Sequence, residues 1–371
     1  MNPEELEREG LLEGVESDSE RDARIALLEE LSAAGVPLED LKKAVKEERL
    51  ALLPLERVFS KGSKYTLREA AELTGLSEDF LRRDWMALGL SIPEPHEPAF
   101  SEANLEGLKG LKQLLDLGVP EAEALELARV SGQSSARLAE ATMQTFANIF
   151  MRAGDTERDL GMRYAEIAMQ LMPMMGPMSE NPLQLHIREV IRREAVSRAE
   201  RVAGRLPGSR EISVCFADLV GFTALGESVS IGEVGDVAER LEEMATHTAR
   251  PPVRLVKMIG DAAMLVSTDA RSGVDAALEL VAAADSEQGF PSLRAGMAYG
   301  PALPRLGDWY GSPVNLASRI TSVAPPSSVL ATDDLRDAAG DGYSWSRTAP
   351  RRFKGFDEAV PLFRVGPAAA G

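Results

Sequence analysis

EISVCFADLVGFTAL, running from Glu211 to Leu225, reads as a strand that delivers a carboxylate. Ile212, Val214 and Phe216 alternate with smaller or polar residues, the period of a strand facing a core, and Asp218 sits just past the predicted strand Glu211–Phe216. Within that alternation Cys215 is more simply a small strand residue than a nucleophile. Leu219, Val220, Gly221, Phe222 and Thr223 come next and are predicted to open a helix, whose first backbone amides can meet phosphate oxygens. A second stretch, VRLVKMIGDAAMLVS from Val253 to Ser267, predicts strands at Val253–Lys257 and Ala263–Ser267, with Gly260 permitting a tight hairpin. The hairpin would lift Asp261 beside Asp218, which lies 43 positions earlier. Two carboxylates at adjacent strand ends can hold hard divalent cations and leave coordination positions for substrate phosphates. Taken singly, either aspartate reads as a turn cap.

Outward from this segment the chain divides near residues 205–210, with strands and helices alternating after the division and helices alone before it. The 371 residues are enough for roughly two to three domains. A composition that is 44% hydrophobic and 27% charged builds cores and excludes a disordered polymer. Lys and Arg number 41 against 59 Asp and Glu, and the net charge of −18 argues against binding a nucleic-acid backbone over a wide area. One cysteine rules out an intramolecular disulfide framework and a thiolate zinc cage, and three histidines leave little for a histidine-rich metal site. The opening MNPEELEREG lacks the basic and apolar regions of a secretory signal, and no run of about 18 apolar residues occurs. A cytoplasmic protein away from the membrane is therefore expected.

The N-terminal half begins with an acidic, Gly-punctuated stretch over residues 1–20, read as a frayed leader. Ile25, Leu28 and Leu31 then mark one helical face, and Pro37 starts a next helix in which Leu38, Leu41, Val45 and Leu52 are apolar. In YTLREAAELTGLSEDFLRRDWMALGL (residues 65–90), Leu67, Ala70, Ala71 and Leu73 are expected to face inward. Gly75 makes the turn, and Leu76, Phe80, Leu81 and Trp85 form the following helix's apolar face. Eight methionines (143, 151, 162, 169, 172, 174, 175 and 178) fit a helical core or dimer interface, with a hydrophobic small-molecule effector pocket as the alternative. PLQLHIREVIRREAVSRAERVAGRL (residues 182–206) is predicted as one long connector helix broken by Leu206-Pro207-Gly208. His186 in it could titrate as a pH input or be simply solvated.

Residues 65–90, with FSEANLEGLKGLKQLLDLGVPEAEALEL after them, resemble the winged helix-turn-helix of MerR-type regulators. The resemblance implies helical geometry over 65–130. DNA binding does not follow, because Arg82 and Arg83 are flanked by Glu78, Asp79 and Asp84, and a packing or dimerisation module is the plainer reading.

In the second half, FADLVGFTAL (216–225), KMIGDAAML (257–265) and GDWYGSPVNLASR (307–319) occur in the order and spacing of the class III nucleotidyl cyclases, and together resemble their catalytic domain over residues 210–366. With the helical half, the chain resembles adenylate cyclases of the actinobacterial type. The implied fold class is α+β, an all-helical N-terminal domain followed by a ferredoxin-like βαββαβ cyclase domain. The implied division is a helical regulatory domain over 1–181, a connector helix and linker over 182–209, and the catalytic domain over 210–366.

The resemblance also implies roles. Asp218 and Asp261 would bind two Mg²⁺ or Mn²⁺ ions per site. Lys257 and Asp308 would read the purine, a donor and an acceptor that suit adenine and mismatch guanine. Asn315 would orient the ribose and Arg319 stabilise the α-phosphate, four positions apart on one helix face. Phe222 and Thr223 would lie at the substrate, and Lys354 would reach the terminal phosphates unless it is a solvated hairpin tip. The implied enzyme is a homodimer turning ATP into cyclic AMP, because the family builds its site from two catalytic domains. Two other readings stay open: a degenerate nucleotide-binding regulator carrying a DNA-binding helix-turn-helix, and a guanylate cyclase.

Overall fold

Residues 3–193, 208–222 and 231–368 are described by the computed structural model. The chain falls into two units, one ending at Ala195 and the other beginning at Val196.

The first unit is helical: α1 (Pro3–Arg8), α2 (Asp18–Ala33), α3 (Leu38–Lys46), α4 (Leu53–Ser60), α5 (Leu67–Thr74), α6 (Glu78–Ala87), α7 (Glu102–Asp116), α8 (Glu121–Phe150) and α9 (Glu157–Arg193). The acidic opening is not frayed. Leu6, Leu11 and Leu12 are buried with Leu27, Leu28, Leu31 and Leu41, so three apolar side chains dock a segment whose charge suggested solvent. α5 starts on a reciprocal cap between Thr66 and Glu69, Gly75 closes it in the left-handed region (φ 73°), and Ser77 caps α6. Leu67, Ala70, Ala71, Leu76, Phe80 and Leu81 then pack with Phe100, Leu105 and Leu125. Leu73, expected inward, is instead exposed; in α5 the buried stripe runs through Leu67, Ala70, Ala71 and Thr74. Arg83 is bound by Asp79 at 2.9 Å and Glu121 at 2.7 Å.

The expected connector does not begin at residue 182. α9 runs unbroken from Glu157 to Arg193 through Pro173, Pro177 and Pro182. It is anchored near its start by buried Tyr164 and Ala168 against Leu55 of α4. His186 is exposed on its last third. The remainder of the expected connector, and its break at Leu206-Pro207-Gly208 up to Pro207, lie outside the described residues.

The second unit is a sheet in the order β2-β3-β1-β4-β6-β8-β7, with β5 paired to β4. Its strands are β1 (Arg210–Leu219), β2 (Val253–Ile259), β3 (Ala262–Ser267), β4 (Leu293–Arg305), β5 (Asp308–Tyr310), β6 (Ser328–Thr332), β7 (Tyr343–Arg347) and β8 (Leu362–Pro367). Four helices are described with them: α10 (Ile231–Thr248), α11 (Ala270–Ser286), α12 (Ser312–Val323) and α13 (Asp333–Ala339). The succession β1-α10-β2-β3-α11-β4 is the ferredoxin-like βαββαβ core. β1 runs antiparallel to both β3 and β4, and β6 joins β4 in parallel after α12 crosses over.

β1 is buried on both faces, where one inward face was expected. Ile212, Val214 and Phe216 pack with Ala298, Ala302, Trp309 and Ala317 on the α12 side. Cys215, Ala217 and Leu219 pack with Leu241, Ala277 and Leu280 on the α10/α11 side. A central strand covered by helices above and below buries both sets. Burial raises the Cys215 thiol to about 12, so it stays protonated.

α12 reaches the sheet only because β4 carries Gly296. A Cβ there would stand 2.2 Å from the Thr321 backbone nitrogen and 2.6 Å from the Ala317 carbonyl. Thr321 Oγ1 in turn lies 3.2 Å from the Phe216 carbonyl of β1. Gly296→Ala is expected to lower stability by about 3 kcal/mol, since backbone rather than a flexible tip must move. Thermal unfolding of the full chain checks it, and an unchanged midpoint would refute this account of the close approach.

Candidate active site

Asp218 is the penultimate residue of β1, opposite Ala262 on β3 and Arg294 on β4. Ile259 pairs with Ala262, which leaves Gly260 and Asp261 as the two-residue turn of the β2–β3 hairpin. Gly260, at φ 60°, supplies the left-handed first position of a type II′ turn. The Leu219 N–H donates to the Asp261 carbonyl at 3.2 Å, tying the turn to the end of β1. The two aspartates predicted from the sequence therefore share one end of the sheet. Burial raises the Asp261 carboxyl above the ordinary carboxylate value, and the Asp218 charge adds to it; a backbone hydrogen bond and Arg294 act the other way.

Arg294 is the site residue that sequence reasoning missed. Its Nε and Nη2 donate to Asp218 Oδ2 at 2.9 and 2.6 Å, and Nη1 reaches the Ser322 carbonyl at 3.4 Å. Only the β1/β4 register, which no local pattern encodes, places it there. The donor set offers hard carboxylate oxygens, with Asp218 held at one oxygen by a cation. Among the described residues no group of three or more acidic, His or Cys side chains could hold a cation by itself. Two carboxylates that leave the other positions to backbone, water and phosphate fit Mg²⁺ or Mn²⁺ shared with a substrate better than a closed protein cage.

Lys257 reaches its place through an irregularity. Leu255 pairs with Leu265, but Lys257 pairs with Met264, so Val256 is an extra residue in β2. Leu255 packs on the α10/α11 side, whereas Met264 belongs to the α12 side. The bulge thus turns Lys257 onto the sheet face that carries Asp218 and Arg294. There Lys257 Nζ donates to Asp308 Oδ2 in an ion pair, while Asp308 Oδ1 accepts the Trp309 N–H at 2.8 Å. Asp308 is presented by the β4–β5 turn, where Leu306 (φ 56°) and Gly307 (φ 81°) both take positive φ. The predicted purine-reading pair is assembled within one chain.

Asn315 and Arg319 lie on α12, Asn315 exposed and Arg319 half-buried. Arg319 Nη1 is buried and has no hydrogen-bond partner among the described residues. Its Cζ lies 5.6 Å from the centroid of the Phe356 ring. Phe356 closes a turn by donating its N–H to the Phe353 carbonyl at 3.1 Å, and Lys354 sits exposed in that turn. Phe222 follows Gly221 (φ 79°) and packs half-buried against the α10/α11 core. Thr223 lies outside the described residues, as does the predicted helix start beyond Phe222. His186 belongs to the first unit.

Comparison with known proteins covers both units. The adenylate cyclase regulatory domain matches residues 4–191, and the adenylate and guanylate cyclase catalytic domain matches residues 206–358. The pH-sensitive adenylate cyclase MT1302 of Mycobacterium tuberculosis is 38% identical over 93% of this chain and 88% of its own length. An adenylate cyclase of Streptomyces coelicolor is 35% identical over 76% of this chain and 74% of its own, and one of Streptomyces griseus is 33% identical over 76% and 70%. Among the described residues no helix is long and apolar enough to cross a membrane. A helical unit, a ferredoxin-like sheet bearing paired aspartates, and these matches along nearly the whole chain place it in one family: it belongs to the class III adenylate cyclases in which a helical regulatory domain precedes the catalytic domain.

Proposed function

We propose that this chain converts ATP to 3′,5′-cyclic AMP and pyrophosphate at sites completed across a homodimer. The observation that carries the reading is the convergence of Asp218 and Asp261 at one end of the sheet, with one pKa raised by burial and by the other's charge. Lys257 and Asp308 read adenine: the ammonium donates to N1 and the carboxylate accepts from the exocyclic amine, a pattern guanine reverses. Their mutual ion pair supports the assignment, because each holds the other in place before the base arrives. Asn315 orients the ribose. Arg319 donates to the α-phosphate as it becomes pentavalent, and its unpartnered Nη1 supports that role. Lys354 steadies the departing pyrophosphate.

The 3′-oxygen forms its bond to the α-phosphorus as the bond to the β-phosphate bridging oxygen breaks, and the hydroxyl proton passes to water. Mg²⁺ or Mn²⁺ held by Asp218 and Asp261 would supply Lewis acidity at the 3′-hydroxyl and the phosphates. With one catalytic domain per chain carrying both sets of residues, a two-fold pair gives two equivalent sites, each lined by both partners.

The helical first unit, with α9 as its last described helix, acts as a regulatory input to that pairing. The exposure of Met169, Met172, Met174, Met175 and Met178 supports an apolar contact there, with another protein surface or a hydrophobic effector. The ion pairs of Arg83 favour a packing module over a DNA reader. Incubating wild-type protein with ATP or GTP and either cation, and resolving the products, tests the reading. Cyclic AMP from ATP by a dimer is expected; equal turnover of GTP, or full activity from an isolated monomer, would refute it.

A further inference from the structure

The turn that carries Lys354 meets Arg319 at two points. The ring of Phe356 lies beside the guanidinium, and a Cβ built on Gly355 would stand 3.4 Å from Arg319 Nη1. Gly355 itself adopts φ 87°, so the chain both turns and passes close to the arginine at a residue without a side chain. Other guanidinium groups of this unit spend their donors on oxygen acceptors: Arg294 on Asp218, Arg240 on Glu243 and Glu287, and the two that also lie over rings, Arg336 on Asp337 and Arg271 on the Asp341 carbonyl. Arg319 is held by an aromatic face instead.

The difference has a chemical consequence. A carboxylate would fix the guanidinium by accepting its N–H groups and would cancel its charge. An aromatic ring attracts the cation through its quadrupole and accepts none of those N–H groups in ordinary hydrogen bonds. Arg319 is therefore kept in place with charge and donors unspent, as a group that must grip a phosphate in the transition state requires.

We infer that Phe356 is a positioning residue for Arg319, and that the Phe353–Phe356 turn sets the guanidinium and Lys354 as one unit. The inference rests on the proposed role of Arg319 at the α-phosphate. Phe356 itself touches no reacting atom. It acts by narrowing where the guanidinium can be, so its loss should appear in kcat rather than in substrate binding.

The test uses the full chain with ATP and Mn²⁺, comparing Phe356→Tyr and Phe356→Leu in the wild-type and Arg319→Ala backgrounds. Phe356→Leu is expected to lower kcat about tenfold with KM within twofold, and Phe356→Tyr to retain most of the rate. In the Arg319→Ala background the leucine should cause no further loss, the non-additivity of residues acting as a unit. A leucine variant as fast as wild type, a tyrosine variant as slow as leucine, or a leucine loss that persists without Arg319 would each overturn the inference. Should Phe356→Leu unfold early in a thermal scan, Phe356→Met is measured by the same criteria. Wild-type protein that makes no cyclic AMP would overturn the proposed function instead, so the two failures are distinguishable.

Discussion

Asp261→Asn should cut cyclic AMP formation roughly 10³-fold while leaving the protein folded and no less stable. The two halves of this expectation come from the same geometry. Asp261 is half of a two-residue turn, so an isosteric amide keeps the turn and its bond from the Leu219 N–H to the residue 261 carbonyl. What the amide removes is a negative charge that the fold penalises, since burial and Asp218 raise this carboxyl's pKa. A carboxyl with a raised folded-state pKa gives its stabilisation below the unfolded-state value, near 4, and loses it as pH rises through the folded value. That loss grows with pH in the wild type and is absent in the asparagine variant. Thermal scans without divalent cations should therefore place Asp261→Asn at or above the wild-type midpoint, and an assay with Mn²⁺ should find it nearly inactive. Activity within tenfold of wild type would remove Asp261 from the proposed cation site.

Arg319→Ala should lower kcat by roughly 10² to 10³, the usual cost of deleting one preorganised donor to a developing oxyanion. Neither this variant nor Asp261→Asn is expected to be active alone. Mixed under conditions that let dimers re-form, the two should recover about a quarter of wild-type specific activity. Random reassortment makes half of all dimers heterodimers, each with one of its two sites free of both substitutions if Asp261 and Arg319 serve a site from opposite partners. Mixing that recovers nothing, while size-exclusion chromatography confirms exchange, would show both residues working within a single chain.

The reach of the sequence follows from what is local. The helix-turn-helix of the first unit was readable because its signals sit within a few residues of one another: Thr66 and Glu69 at one cap, Gly75 at the turn, Ser77 at the next cap. The hairpin that presents Asp261 was readable for the same reason. Arg294 was not, because its role exists only once β4 lies beside β1 in a register that pairs it with Asp218. The burial of β1 on both faces depends on helices far along the chain, so alternation described only one of its sides. α9 passes through Pro182, where the connector was expected to start, and the acidic opening buries Leu6, Leu11 and Leu12. In both, long-range structure overrode the local signal.

The surplus residue in β2 means that the adenine recognition proposed for Lys257 depends on a reading frame as much as on side-chain chemistry. Counted by strict alternation from Leu255, the lysine would point beneath the helices, where an ammonium would be stranded among aliphatic groups. A loss or gain of one residue anywhere between Leu255 and Lys257 would invert that choice without altering a single functional group. Specificity here is thus exposed to a kind of genetic change that substitution scans never sample.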